Sequence, residues 1–289
     1  MNGTDIDRVG VLGCGLMGSG IAEVCARKGR QVVVVEADAA AAERGRAKVE
    51  RSLETALNRG KLSADDHRLA LECLTFTHDW DAFADRQLVI EAISEDPALK
   101  DSAFRRFDAI VAEPGAILAS NTSSIPIMKL ATVTSRPEQV VGLHFFNPVP
   151  VLPLVELVAS LMTSQATSDT VSGFASDVLG KNVIRSQDRA GFVVNALLIP
   201  YLLSAIRMLE SGFATAADID AGMVHGCAHP MGPLALADLI GLDTTMAVAE
   251  SMYTEFKEPL YAPPPLLSRM CEAGLLGRKT GRGFHNYQK

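Results

Sequence analysis

The run Val9-Gly10-Val11-Leu12-Gly13-Cys14-Gly15-Leu16-Met17-Gly18-Ser19-Gly20 restricts the fold of this chain more than any other stretch. Val9 to Leu12 is an apolar run of strand length, Gly13, Gly15 and Gly18 space out as G-x-G-x-x-G, and Ile21 to Ala26 continues at helical period. In a strand-turn-helix the first glycine permits the tight turn. The second lets a pyrophosphate approach the main chain, and the third lets helix and strand pack closely. The helix N-terminus presents N–H groups and the positive end of its dipole to the phosphates. Gly13, Gly15, Leu16, Met17 and Gly18 are therefore the expected phosphate contacts. Eighteen residues past Gly18, the apolar strand Gln31 to Val35 runs into Glu36. A carboxylate at that strand end can accept both hydroxyls of an adenosine ribose and repels a 2′-phosphate, and Ala37 and Asp38 supply no cation for one. The pattern predicts NAD rather than NADP.

The remaining strands follow the same plan. Leu88 to Ile93, Ile117 to Ser120, Val140 to Leu143, Leu154 to Val158 and Asn182 to Arg185 read as short, mostly buried strands, alternating with helical segments. Asp38 to Asn58 reads as a long helix broken by Gly60, and Ser63-Ala64-Asp65-Asp66 reads as the cap of a second helix. The expected fold is α/β, a Rossmann-type doubly wound sheet with this helical hairpin inserted. Past Gln187 the strand-like runs cease. Phe192 to Glu210, Thr215 to Val224, Pro233 to Phe256 and Leu266 to Ala273 read as helices of an all-α C-terminal domain. The domain boundary is expected near Ser186, with 1–186 binding the dinucleotide and 187–289 following.

The 27 Lys and Arg against 34 Asp and Glu give a net charge of −7, which argues against nucleic acid or an anionic membrane as partner. The apolar run Phe192 to Met208 is interrupted by Asn195, Pro200, Ser204 and Arg207, so a buried helix is expected and not a membrane span. Met1 to Asp7 lacks a basic stretch followed by an apolar core, and the five cysteines are odd in number without paired metal spacing. A cytoplasmic protein with buried thiols and no metal site is expected.

Three places stand out for chemistry. Asn121-Thr122-Ser123-Ser124 follows a strand at the edge where open α/β sheets bind ligands, and reads either as a turn cap or as a substrate or nicotinamide contact. His144 ends a strand, and Glu156 sits twelve residues later inside the apolar run Leu154 to Val158. A buried carboxylate is costly unless paired, so the two are expected to meet across a proline-rich turn. Arg51, Arg59 and Lys61 line the helical hairpin and read either as a solvated face or as ligand contacts.

With these residues, and with Gly191-Phe192-Val193-Val194-Asn195, His229-Pro230-Met231-Gly232-Pro233 and Gly277-Arg278-Lys279-Thr280-Gly281-Arg282-Gly283-Phe284, almost the whole chain resembles the NAD-dependent L-3-hydroxyacyl-CoA dehydrogenases, in particular the stand-alone bacterial 3-hydroxybutyryl-CoA dehydrogenases. The resemblance implies reversible oxidation of a short-chain L-3-hydroxyacyl-CoA to the 3-ketoacyl-CoA in fatty acid metabolism, by a homodimer joined through the helical domain. It implies catalytic roles for His144 and Glu156, with Ser123 and Asn195 around the reacting group. It implies cofactor contacts from Glu95 and Lys100 besides Glu36 and Asn121, and CoA contacts from Ser52 and from Arg59 or Lys61. Two residues depart from the family pattern: Glu36 stands where aspartate is common, and Pro153 where lysine is frequent. Two rival readings remain, a dehydrogenase of a sugar acid or other hydroxy acid, and a non-catalytic NAD-binding protein on the same fold.

Overall fold

The computed structural model describes residues 2–288 as two compact units, the first running to Asp188 and the second beginning at Arg189. The expected boundary lay near Ser186. Asp188 stays with the first unit because its carboxylate accepts the N–H groups of Ile127 and Met128, each at 2.7 Å.

In chain order the first unit contains β1 (Arg8–Leu12), α1 (Leu16–Ala26), β2 (Gln31–Val35), α2 (Ala39–Asn58), α3 (Ala64–Glu72), β3 (Leu74–Thr77), β4 (Leu88–Glu91), α4 (Pro97–Ile110), β5 (Ile117–Ser120), α5 (Ile127–Ala131), β6 (Val140–Phe145), β7 (Leu154–Ala159), α6 (Gln165–Gly173) and β8 (Asn182–Gln187). The eight strands form one sheet in the order β3-β2-β1-β4-β5-β6-β7-β8, parallel at every pairing except β6 with β7. Strand order reverses about β1, which pairs β2 on one side and β4 on the other. The carboxyl ends of β1, β2, β4 and β5 therefore open on one crevice, the switch point at which such sheets take ligands. All four residues of β4 and of β5 are buried, as helices covering both faces of a parallel sheet require.

Sequence signals set most of these boundaries. Asp38 caps α2 by accepting from Ala41 N, Ser63 caps α3 by accepting from Asp66 N, and Asp96 caps α4 ahead of Pro97 in its first turn. β3 was not anticipated: Leu74–Thr77 is short, and its strand character comes from pairing alongside β2. α6 starts at Gln165, where the Ser164 hydroxyl accepts the N–H of Thr167, and it passes into a π-helical turn over Phe174–Val178.

The second unit contains α7 (Val194–Glu210), α8 (Ala216–Cys227), α9 (Pro233–Ile240), α10 (Leu242–Phe256) and α11 (Pro265–Glu272). The single helix expected from Pro233 to Phe256 is two, because Gly241 at φ 104° leaves the helical region between them. Leu202, Leu203, Leu234, Leu242, Met252 and Leu267 are buried in its core. Asp238 ties the C-terminal strap to α9 by accepting the N–H groups of Phe284 and His285 and the Tyr287 hydroxyl. Among the described residues no helix is long and apolar enough to cross a membrane.

Candidate active site

At the end of β1, Gly13 adopts φ 88°, and a Cβ on Gly18 would lie 1.9 Å from the Gly13 carbonyl oxygen, so the loop closes only with glycine there. A Cβ on Gly15 would meet nothing within 4 Å, which leaves an open approach to the main chain. α1 begins next, at Leu16, and no side chain caps its first turn. Helical N–H groups at that end can bind an anion. Glu36 accepts the N–H of Cys14 at 2.5 Å and that of Ala37 at 3.1 Å, so one carboxylate joins the glycine loop to the end of β2. The buried Cys14 beside it has its thiol pushed up to about 12 by burial and by Glu36, and stays neutral. These features fit a dinucleotide: an open loop for the pyrophosphate and a carboxylate where a ribose would lie.

Across the switch point the ends of β4 and β5 are joined by a closed polar network. Lys100 on α4 is 1% exposed, and its ammonium lies 2.8 and 2.9 Å from the two oxygens of Glu91 and 3.0 Å from Glu95. Glu95 accepts from the Thr122 hydroxyl, from the N–H groups of Ser123 and Ser124, and from the Ser124 hydroxyl. Burial alone would raise the Glu95 carboxyl. The Lys100 ammonium and the Thr122 and Ser124 hydroxyls outweigh it and hold Glu95 below the usual carboxylate range. Asn121 accepts the N–H of Phe145, which ties the turn after β5 to β6. Of the cofactor contacts the resemblance implies, Glu95 is accessible, while Lys100 is enclosed behind it.

β6 and β7 bring His144 and Glu156 together. They are direct partners in the antiparallel register, so their side chains leave the same face of the sheet. His144 Nδ1 lies 2.7 Å from Glu156 Oε2, with Glu156 fully buried and the Phe146 ring 4.6 Å from the imidazole. The turn between the strands is anchored from β8's side. The Lys181 ammonium donates to the carbonyls of Val149 and Leu152 at 2.6 and 2.7 Å, and the Asn182 N–H donates to the Pro153 carbonyl at 2.7 Å. Pro153, the departure from the family pattern, thus keeps the turn tied to the sheet.

The same turn, Asn147 to Pro150, walls a pocket of about 170 Å³ with Glu23 of α1 and Lys48 and Ser52 of α2. Lys48, Ser52 and Arg59 stand at positions i, i+4 and i+11, about three helical turns in all at 3.6 residues per turn, and so follow one face of the hairpin arm. Lys61 lies beyond Gly60, which takes φ 65° and ends that alignment. Asn195 lies in the first turn of α7, in the second unit. The sequence reading missed Lys48, Glu91 and Lys181. Lys48 belongs to no motif in the sequence, and the other two meet only neighbours supplied by the fold.

A glycine loop opening onto a helix end at the switch point, with a histidine-carboxylate pair along the same sheet edge, defines the class: a dinucleotide-dependent oxidoreductase. Residues 8–189 match the model of the 3-hydroxyacyl-CoA dehydrogenase NAD binding domain, and residues 191–287 that of the 3-hydroxyacyl-CoA dehydrogenase C-terminal domain. The chain belongs to the 3-hydroxyacyl-CoA dehydrogenase family. It is 59% identical over 282 residues to a 3-hydroxybutyryl-CoA dehydrogenase of Mycobacterium tuberculosis, covering 98% of this chain and 99% of the relative. The crystal structure of M. tuberculosis FadB2 superposes with a TM-score of 0.96 at 59% identity, over 98% of this chain and 99% of that one. The (S)-3-hydroxybutyryl-CoA dehydrogenase PaaH1 of Ralstonia eutropha superposes with a TM-score of 0.93 at 47% identity, over 99% and 100%.

Proposed function

We propose that the protein catalyses the reversible NAD-dependent oxidation of a short-chain L-3-hydroxyacyl-CoA, 3-hydroxybutyryl-CoA, to the 3-ketoacyl-CoA. The observation that carries this is the in-register His144–Glu156 pair at 2.7 Å on the ligand-binding side of the sheet. NAD, when bound, supplies the hydride acceptor. Gly13, Gly15, Leu16, Met17 and Gly18 hold its pyrophosphate, Glu36 its adenosine ribose, and Glu95 and Asn121 border its nicotinamide half. Lys100 serves the cofactor through Glu95.

His144 is the acid and base. With Nδ1 engaged by Glu156, proton exchange with the C3 hydroxyl falls to Nε2. Imidazole can take or give a proton near neutrality, so one residue serves both directions. Glu156 fixes the ring and stabilises its charged form, the part a carboxylate plays beside histidine in hydrolases. Ser123, presented by the turn that Glu95 holds, hydrogen-bonds the reacting oxygen. Asn195 is assigned the same task on its sequence motif alone. Lys48, Ser52 and Arg59 bind the CoA moiety, and the helix geometry favours Arg59 over Lys61. The protein acts in the cytoplasm as a homodimer, with the unit ending at Asp188 as the NAD-binding domain and the unit beginning at Arg189 carrying substrate and dimer contacts.

The test is absorbance at the nicotinamide band on mixing the protein with acetoacetyl-CoA and NADH. Turnover supports the reading. Turnover confined to a sugar acid or another hydroxy acid, or NADH binding without turnover of any of them, would replace it with one of the rivals.

A further inference from the structure

We propose that Glu91, wholly buried at the end of β4, is a positioning residue for this reaction: through Lys100 and Glu95 it sets where the Thr122–Ser124 turn presents Ser123. The inference rests on the proposed dehydrogenase function and adds a residue that touches neither cofactor nor substrate.

Counting acceptors and donors excludes direct binding. An ionised carboxylate offers about four acceptor positions. Glu91 fills them inside the protein: Oε1 receives Lys100 Nζ at 2.8 Å and Ile93 N at 2.7 Å, and Oε2 receives Lys100 Nζ at 2.9 Å and Ser120 Oγ at 2.6 Å. A lysine ammonium has three donors, and those of Lys100 meet both oxygens of Glu91 and Oε2 of Glu95. The chain of contacts then leaves the interior. Glu95 Oε1 takes Thr122 Oγ1 at 2.5 Å, Ser123 N at 3.0 Å, and Ser124 N and Oγ at 3.2 and 3.0 Å. Ser120 Oγ closes the ring by accepting Thr122 N at 3.2 Å. Every link from Glu91 to the Ser123 main chain is therefore a hydrogen bond or ion pair.

Fold stability is a weak reason for this arrangement. Desolvation offsets much of the attraction within a buried ion pair, and an apolar pair of similar volume serves packing as well or better. An apolar pair could not hold Glu95. Glu91 neutralises Lys100 from behind, so Lys100 takes only Oε2 of Glu95 and leaves Oε1 on the turn.

The experiment compares Glu91→Gln, Lys100→Met and the double variant with the intact protein, measuring kcat and KM for acetoacetyl-CoA reduction by NADH alongside the melting temperature. Glutamine keeps acceptors for Ile93 or Ser120 but withdraws the charge that Lys100 needs, so Lys100 draws Glu95 off the turn. A fall in kcat on the order of 10²-fold is expected, the scale of a misplaced reacting group, with a small change in KM for the thioester. Lys100→Met leaves two carboxylates facing each other and is expected to fall similarly. The double variant removes both charges, leaves Glu95 on its turn contacts, and should recover at least about tenfold of the loss, because the two sites share one network and are not additive. A lowered melting temperature with unchanged kcat in Glu91→Gln, or a double variant no better than the worse single, overturns the inference. Should Glu91→Gln not fold, Ser120→Ala, which removes one donor to the same carboxylate, takes its place. It should lower kcat severalfold, and an unchanged kcat overturns the inference. An intact protein that fails to reduce acetoacetyl-CoA would instead refute the functional reading.

Discussion

At the residue scale, the proposed acid-base role of His144, with Glu156 holding its ring, is the first to test. Oxidation needs a base at the C3 hydroxyl and reduction an acid, and the proposal gives both parts to the one imidazole. His144→Ala should lower kcat in both directions by about 10²- to 10⁴-fold, the usual worth of a positioned general acid-base group. Glu156→Gln should lower kcat while leaving KM for NADH near its original value, measured by steady-state kinetics in both directions. An unchanged kcat in His144→Ala would place the base elsewhere. Glu23 makes a separate statement about stability. Its carboxyl is raised from 4.5 chiefly by burial, against the opposing effects of the Ser52 hydroxyl and of Arg27. An acid raised in the folded state contributes stability that is complete below its unfolded pKa and lost as pH rises through the folded value. Glu23→Gln, which never charges, should therefore gain in melting temperature relative to the intact protein as pH climbs from 4.5 toward neutrality. A difference that stays flat across that range would show that the buried carboxylate carries no such cost.

At the element scale, two pieces of secondary structure convert sequence spacing into chemistry. The β6–β7 hairpin makes residues twelve apart direct neighbours, because antiparallel register pairs His144 with Glu156. The α2 arm carries Lys48, Ser52 and Arg59 along one face, with Lys48 and Ser52 on the pocket wall. At 1.5 Å per residue the two cations are about 16 Å apart along the axis, a span suited to an extended ligand rather than to a single phosphate. Joint replacement of Lys48 and Arg59 by Ala should raise KM for acetoacetyl-CoA by about tenfold or more, given charge-assisted contacts of about 1.5 kcal/mol or more in total. KM for a short pantetheine thioester, which lacks the nucleotide phosphates, should change little. Equal losses on both substrates would make the arm a structural element.

At the scale of the whole molecule, both units leave large apolar side chains in solvent, Leu161 in the first being 98% exposed. The first surrounds its sheet with helices and buries β4 and β5 throughout. The second leaves Leu197 74% exposed and Phe213 79% exposed, with Leu239 also in solvent. Their exposure on a small helical unit is the observation behind the dimer proposal. Sedimentation equilibrium at micromolar concentration should give twice the 30.8 kDa chain mass. Replacing Leu197 and Phe213 with charged residues should shift it toward the monomer, and a stable monomer of the unaltered protein would refute the dimer.

Local signals are those that require only neighbours in the chain. The G-x-G-x-x-G turn, the Glu36 strand end, the caps at Asp38 and Ser63 and the proline-turned approach of His144 to Glu156 were legible for that reason. Backbone sterics, capping and the period of apolar residues act over a few positions. β3 was not legible, because Leu74–Thr77 becomes a strand by pairing with β2. Nor was the enclosure of Lys100, which depends on β4 and β5 lying side by side so that Glu91 and Ser120 meet. Lys181 reaches back across about thirty residues to hold the turn before β7. A buried charge is tolerable only where partners converge on it. The sequence by itself determined the glycine loop, the helix caps and the approach of His144 to Glu156, whereas only the tertiary structure placed Lys48 on a pocket wall and brought Glu91 and Lys181 to their partners, because convergence from distant strands is a property of the packed sheet.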